Sequence, residues 1–148
     1  MSSVRRSHKI YLAGHRDLAD SALVRRLRAA GYENLVLCTR AELELTDAMA
    51  VRGLFEVERP QHVLLAAAKV GGIVANNTQP AEFIRENAAI QTNVIHEAWR
   101  AGAKRLLFLG SSCIYPRDCP QPMKEEHLFT GRFEPTNRPY AIAKIAGI

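Results

Sequence analysis

Tyr140 and Lys144 stand at i and i+4 in Tyr140-Ala141-Ile142-Ala143-Lys144, so in a helix they share one face. An ammonium beside a phenol favours the phenolate and draws its ionisation down toward working pH. Ser111 lies in Leu109-Gly110-Ser111-Ser112-Cys113, at the end of an apolar run. There its hydroxyl can bond the same carbonyl oxygen that Tyr140 would protonate, which makes a proton relay for hydride transfer to or from a carbonyl. Tyr-x-x-x-Lys alone is a weak pattern, since a tyrosine on a half-buried helix face also serves as core. The serine at the strand end turns the pattern into a site. Cys113, two residues beyond Ser111, reads either as an acid or base for a carbon-bound proton or as a buried inert thiol.

A second place is Gly14, directly after the apolar run Lys9 to Ala13 and before a helix-like stretch. Such a turn presents backbone N–H groups and a helix N-terminus to a pyrophosphate. The extended form of the turn puts glycine at positions 14, 17 and 20, where this chain has Gly14, Asp17 and Asp20. Asp17 sets a negative charge against the phosphate; two unit charges about 4 Å apart repel by roughly 4 kcal/mol at an effective dielectric of about 20. Asp20 adds bulk where helix and strand should pack closely. Both acids equally suit the positive start of a helix. Arg40 follows the second strand, where an NAD enzyme carries an acid for the ribose hydroxyl. A guanidinium there, with Arg16, suits a 2′-phosphate, or both are surface arginines.

These residues need elements to hold them. Short apolar runs alternate with helix-like segments: Lys9 to Ala13, then Asp17 to Ala30 closed by Gly31; Leu35 to Cys38, then a helix capped by Thr46, with Asp47 in its first turn, running to Glu58. Arg59-Pro60 breaks the chain before His62 to Ala67. A Gly/Asn-rich loop, 70 to 79, leads to a long helix from Pro80 to Ala101, closed by Gly102, and then to the strand Arg105 to Gly110. Residues 113 to 139 read as irregular, and Tyr140 to Ile148 as the opening of another helix. Strands apolar throughout, each followed by a helix, predict an α/β fold, a doubly wound parallel sheet of Rossmann-like type. A chain of 148 residues suggests one domain.

The formal charge of +5 suits a phosphorylated small molecule. The basic residues are dispersed, so nucleic acid is not expected. No apolar stretch approaches the roughly 20 residues that cross a bilayer. Cys38, Cys113 and Cys119 have no zinc spacing, and His8, His15, His62, His96 and His127 form no i, i+4 pair. Free thiols, no metal and a cytoplasmic location are expected.

Ala66 to Ile84 (AAAKVGGIVANNTQPAEFI), Leu109 to Pro116 (LGSSCIYP) and Glu134 to Ile148 (EPTNRPYAIAKIAGI) together resemble the GDP-L-fucose synthases, of the extended short-chain dehydrogenase/reductase type. LAGHR near the start and TRAELELTD from Thr39 to Asp47 fit the same family. The resemblance implies NADPH-dependent conversion of GDP-4-dehydro-6-deoxy-D-mannose to GDP-L-fucose, by epimerisation at C3 and C5 and reduction at C4. It assigns Tyr140 as the proton donor, Lys144 as its partner and nicotinamide-ribose ligand, Ser111 as the catalytic serine and Cys113 as the epimerisation base. It places Gly14, His15, Arg16, Arg40, Leu45, Leu109, Gly110, Ser111, Ser112 and Lys144 on positions that contact NADP(H).

The family has glycines where Asp17 and Asp20 stand. It also continues for about as many residues again, carrying a histidine acid and most GDP-sugar contacts. Residues 1–148 are therefore expected to be an incomplete NADP-binding domain without the substrate-binding part, with negligible turnover alone. The alternative is a non-catalytic relic or nucleotide-binding module of the same family. Family members pair through helices of this half, which makes a homodimer a further expectation.

Overall fold

Apolar residues fill β1 (Ile10–Ala13) because both of its faces are covered. In the computed structural model, which describes residues 4–14 and 18–148 with the side chains of 18–20 left aside, the order continues with α1 (Leu18–Ala29), β2 (Leu35–Leu37), α2 (Ala48–Glu58) and β3 (His62–Leu65). There follow α3 (Ile73–Thr78), α4 (Pro80–Arg100), β4 (Arg105–Phe108) and α5 (Arg138–Ala146). The chain divides into two compact units, residues 1–68 with 89–109, and residues 69–88 with 110–148.

The first unit holds a four-stranded parallel sheet in the order β2-β1-β3-β4. Successive strand residues point to opposite faces, and β1 shows it. Tyr11 and Ala13 join Val63, Leu65, Val51 and Phe55 with Ile90, Val94 and Ala98 of α4 in one core. Ile10 and Leu12 face the other way, onto Leu23, Val24 and Leu27 of α1. Helices on both faces make this the doubly wound, Rossmann-like sheet expected. The Tyr11 and Phe55 rings meet edge to face at 5.7 Å. Winding reverses between β1 and β3, and in such sheets ligands bind at the carboxyl edge of that reversal.

Cap chemistry differs in detail from expectation. Asp47, not Thr46, is the N-cap of α2; its carboxylate accepts from the N–H groups of Met49 and Ala50 at 2.9 and 3.1 Å. The Thr46 hydroxyl is occupied in donating to Glu44 at 3.0 Å. The strands are shorter than their apolar runs: β3 ends at Leu65 and β4 at Phe108. Among the described residues no helix is long and apolar enough to cross a membrane.

The second unit contains a helix that the sequence hid. α3 lies inside the Gly/Asn-rich stretch expected to be loop. The Asn76 amide donates to the carbonyls of Gly71 and Gly72 at 2.9 and 3.2 Å. A Cβ on Gly71 would come to 2.9 Å of the Phe83 ring, so any larger residue there forces the ring to shift. Asn87 holds both polar groups of the Lys69 backbone, at 2.9 and 3.0 Å. The proline-rich segment carries three 3-10 turns, Ser112–Ile114, Glu125–His127 and Pro135–Asn137. α5 starts at Arg138, earlier than Tyr140, because Pro139 is compatible with a first helical turn.

Candidate active site

The second unit gathers Ser111, Cys113, Tyr140 and Lys144. Ser111 is extended and caps the turn Ser112–Ile114, its Oγ accepting from the Cys113 N–H at 3.3 Å. α5 packs on that turn, and the Ser111 hydroxyl is the neighbour that favours the ionised Tyr140 phenol. Since Ser111 Oγ accepts from the Cys113 N–H, its own hydrogen is free to donate to the phenol oxygen. One turn on, Lys144 is only 3% exposed, with its Nζ over the Tyr140 ring at 5.9 Å from the centroid.

The Tyr140 phenol is held above its ordinary range, opposite to the lowering expected from a lysine neighbour. Burial is the largest cause; the Ser111 hydroxyl opposes it, and charge on Cys113 adds to it. Desolvation outweighs the hydroxyl, so at neutral pH Tyr140 carries its proton. It is thereby set as a donor.

Cys113 is half-buried and a free thiol. Its sulfur accepts from the side-chain N–H of Asn137 at 3.2 Å. Asn137 escaped notice in the sequence, because an asparagine ahead of a helix reads as a cap. Gly110 and Ser112 are exposed, leaving this backbone open to approach.

The nucleotide-side positions lie mostly in the first unit. Gly14 has φ of 98°, a left-handed conformation that glycine adopts without strain, at the carboxyl end of β1. That backbone fits a dinucleotide turn. Leu109 is half-buried and donates its N–H to the Leu65 carbonyl at 2.9 Å. Arg40 has a side chain 79% exposed, with its Nε on Glu44 at 2.8 Å, so a carboxylate shares the guanidinium expected to meet a 2′-phosphate. Leu45 packs against the core, and its carbonyl accepts from Asn93 at 2.9 Å. His15, Arg16 and Asp17 lie outside the described residues, as does the side chain of Asp20. Among the described residues no group of three His, Cys, Asp or Glu is placed to hold a metal.

The sequence model of the NAD dependent epimerase/dehydratase family matches residues 10–148. GDP-L-fucose synthase 1 of Arabidopsis thaliana is 61% identical over 143 residues, covering 97% of this chain and 44% of that protein. GDP-L-fucose synthase of Escherichia coli (strain K12) is 56% identical over 140 residues, covering 95% of this chain and 44% of that protein. Among solved structures, the GDP-mannoheptose C4 reductase MlghC from Campylobacter jejuni, with NADP bound, superposes with a TM-score of 0.94 at 44% identity, over 98% of this chain and 46% of that one. The chain thus spans less than half the length of these relatives.

Proposed function

Because the chain belongs to the NAD dependent epimerase/dehydratase family, we propose that it supplies the cofactor side and the proton-handling side chains of a GDP-L-fucose synthase-type enzyme. The reaction is 3,5-epimerisation and 4-reduction of GDP-4-dehydro-6-deoxy-D-mannose. The similarity to GDP-L-fucose synthases over nearly the whole chain supports the substrate class. The observation that carries the chemistry is the packing of α5, with Tyr140 and Lys144 on it, against the turn that Ser111 caps and that holds Cys113.

NADPH, when bound, supplies the hydride for C4. Tyr140, protonated at neutral pH, gives its proton to the C4 oxygen. The Ser111 O–H then donates to the phenolate left behind, and Lys144 above the ring offsets its charge. Carbons 3 and 5 both flank the C4 ketone, so a proton removed from either leaves an enolate stabilised by that carbonyl. Cys113 is the base for that removal.

On the nucleotide side, the left-handed Gly14 backbone brings N–H groups close to a pyrophosphate. His15, Arg16, Leu45, Leu109, Gly110 and Ser112 complete the contacts, with Lys144 on the nicotinamide ribose. Arg40, whose Nε is bonded to Glu44, meets the 2′-phosphate. Pairing of two copies through helices of this half belongs to the same reading; Trp99, near the end of α4, is 75% exposed, and light scattering tests it.

Calorimetric titration with NADPH and NADH tests the cofactor. NADPH should bind more tightly, and Arg40→Ala should erase the difference by weakening NADPH alone. A preference for NADH would remove the role given to Arg40.

A further inference from the structure

Asn137 immediately precedes α5, where an asparagine ordinarily turns its side chain onto the free N–H groups of the first turn. This one makes no such bond. Its Nδ2 donates instead to the Cys113 sulfur at 3.2 Å, within the range of a hydrogen bond to sulfur. The cost is visible on the other half of the amide: Asn137 Oδ1 is buried with no hydrogen-bond partner. A buried polar atom without a partner is costly, and native structures hold few of them. Asn137 therefore forgoes a cap, and what its amide nitrogen holds instead is the Cys113 sulfur.

A thiol can accept such a bond weakly; a thiolate accepts it strongly, because the acceptor then carries charge. The two ends of the bond sit on separate 3-10 turns, Ser112–Ile114 and Pro135–Asn137, and α5 packs against both. The donor is thus fixed by the same helix that carries Tyr140 and Lys144. The Cys113 N–H is used by Ser111 Oγ and does not serve its own sulfur.

We infer that Asn137 is a positioning residue for Cys113, an amide donor that stabilises negative charge on the sulfur and so sets the fraction of Cys113 present as the reactive thiolate. This deepens the reading of Cys113 as the epimerisation base and rests on it for its meaning in turnover; the bond itself stands on geometry alone. Tyr140 of α5 interacts with Cys113 through charge, Arg138 and Glu134 flank Asn137 in sequence, and all three stay unchanged in the variants below.

The test is alkylation of the unmodified chain by iodoacetamide across pH, read residue by residue from the cysteine peptides, so that Cys38 serves as an internal reference for folding. At pH 7, Asn137→Ala should slow the labelling of Cys113 about tenfold, the worth of one hydrogen bond to a charged acceptor. Its profile should move to higher pH and reach the wild-type plateau, because the bond sets how much thiolate is present and not access to it. Asn137→Asp keeps the shape of the side chain but puts a carboxylate against the sulfur, and should label more slowly still.

A role confined to packing predicts that Asn137→Ala labels Cys113 at the wild-type rate or faster, since truncation only opens the sulfur. That result, or a lowered plateau, overturns the proposal. Should Asn137→Ala lose the Cys38 profile of the folded chain, Asn137→Leu, similar in size but without a donor, decides by the same two signs. No turnover enters the measurement, so its failure is separate from failure of the epimerase reading, which would appear as proton exchange surviving Cys113→Ser.

Discussion

Ser111 Oγ accepts from the Cys113 N–H at 3.3 Å, and the turn it caps packs against the helix that holds the Tyr140 phenol. The Ser111 hydroxyl is the one cause that lowers the Tyr140 ionisation, against burial that raises it. Ser111→Ala should therefore push the phenol further up. Spectrophotometric titration of the phenolate band, with Tyr140→Phe as baseline, reads this. An unmoved or lowered midpoint would mean that the serine does not donate.

A second pair lies in the first unit. His8 Nδ1 and His62 Nε2 are 2.8 Å apart, and both rings are held below the usual histidine range, first by desolvation and then by neighbouring cations. For His8 these are Lys104 and Arg5; for His62 they are His8, Arg105 and Lys104. The folded chain thus resists protonation that the unfolded chain accepts. Stability should be fully present above the ordinary value of about 6.5 and fall as pH drops below it. Urea midpoints between pH 8 and 5 should show the loss, and His8→Gln should reduce it. A midpoint flat with pH would refute the linkage.

The core makes a larger claim. Phe55 is fully buried and meets Tyr11 edge to face, so Phe55→Ala should cost about 3–5 kcal/mol in chemical denaturation. Asp47→Ala removes one capping carboxylate that satisfies two N–H groups and should cost about 1 kcal/mol. Equal costs would contradict the assignment of the two residues to core and cap.

Asp17→Gly combined with Asp20→Gly should strengthen NADPH binding, since it removes charge and bulk where the phosphate turn wants neither. Calorimetry on the double variant checks it. Unchanged affinity would show that the two acids lie clear of the nucleotide.

Much of the fold was legible in the sequence because strands covered on both faces are apolar, as β1 is throughout and β3 is from Val63 to Leu65. Ser111, Tyr140 and Lys144 were legible because their spacing follows the strand end and one helix turn. α3 was not: six residues are too few to show helical period, and its anchor is tertiary, Asn76 on the Gly71 and Gly72 carbonyls and Gly71 against Phe83. The cap of α2 was misplaced by one residue because Thr46 and Asp47 are both good caps and only the fold shows Thr46 bonded to Glu44. The upward shift of Tyr140 was hidden for a different reason. Lysine proximity is written in the sequence, whereas desolvation depends on what covers the ring. Asn137 was masked by its position, since nothing in the chain order says that its amide turns from the helix to a sulfur.

The most direct measurement joins residues 1–148 to the C-terminal part of the Escherichia coli relative and runs the keto-sugar nucleotide with NADPH in deuterated water. Deuterium should enter C3 and C5 as NADPH is consumed. Cys113→Ser should stop the deuterium exchange, and Tyr140→Phe should slow NADPH consumption by about a hundredfold or more while exchange continues. Exchange undiminished in Cys113→Ser, or reduction undiminished in Tyr140→Phe, would contradict the division of labour between thiol and phenol.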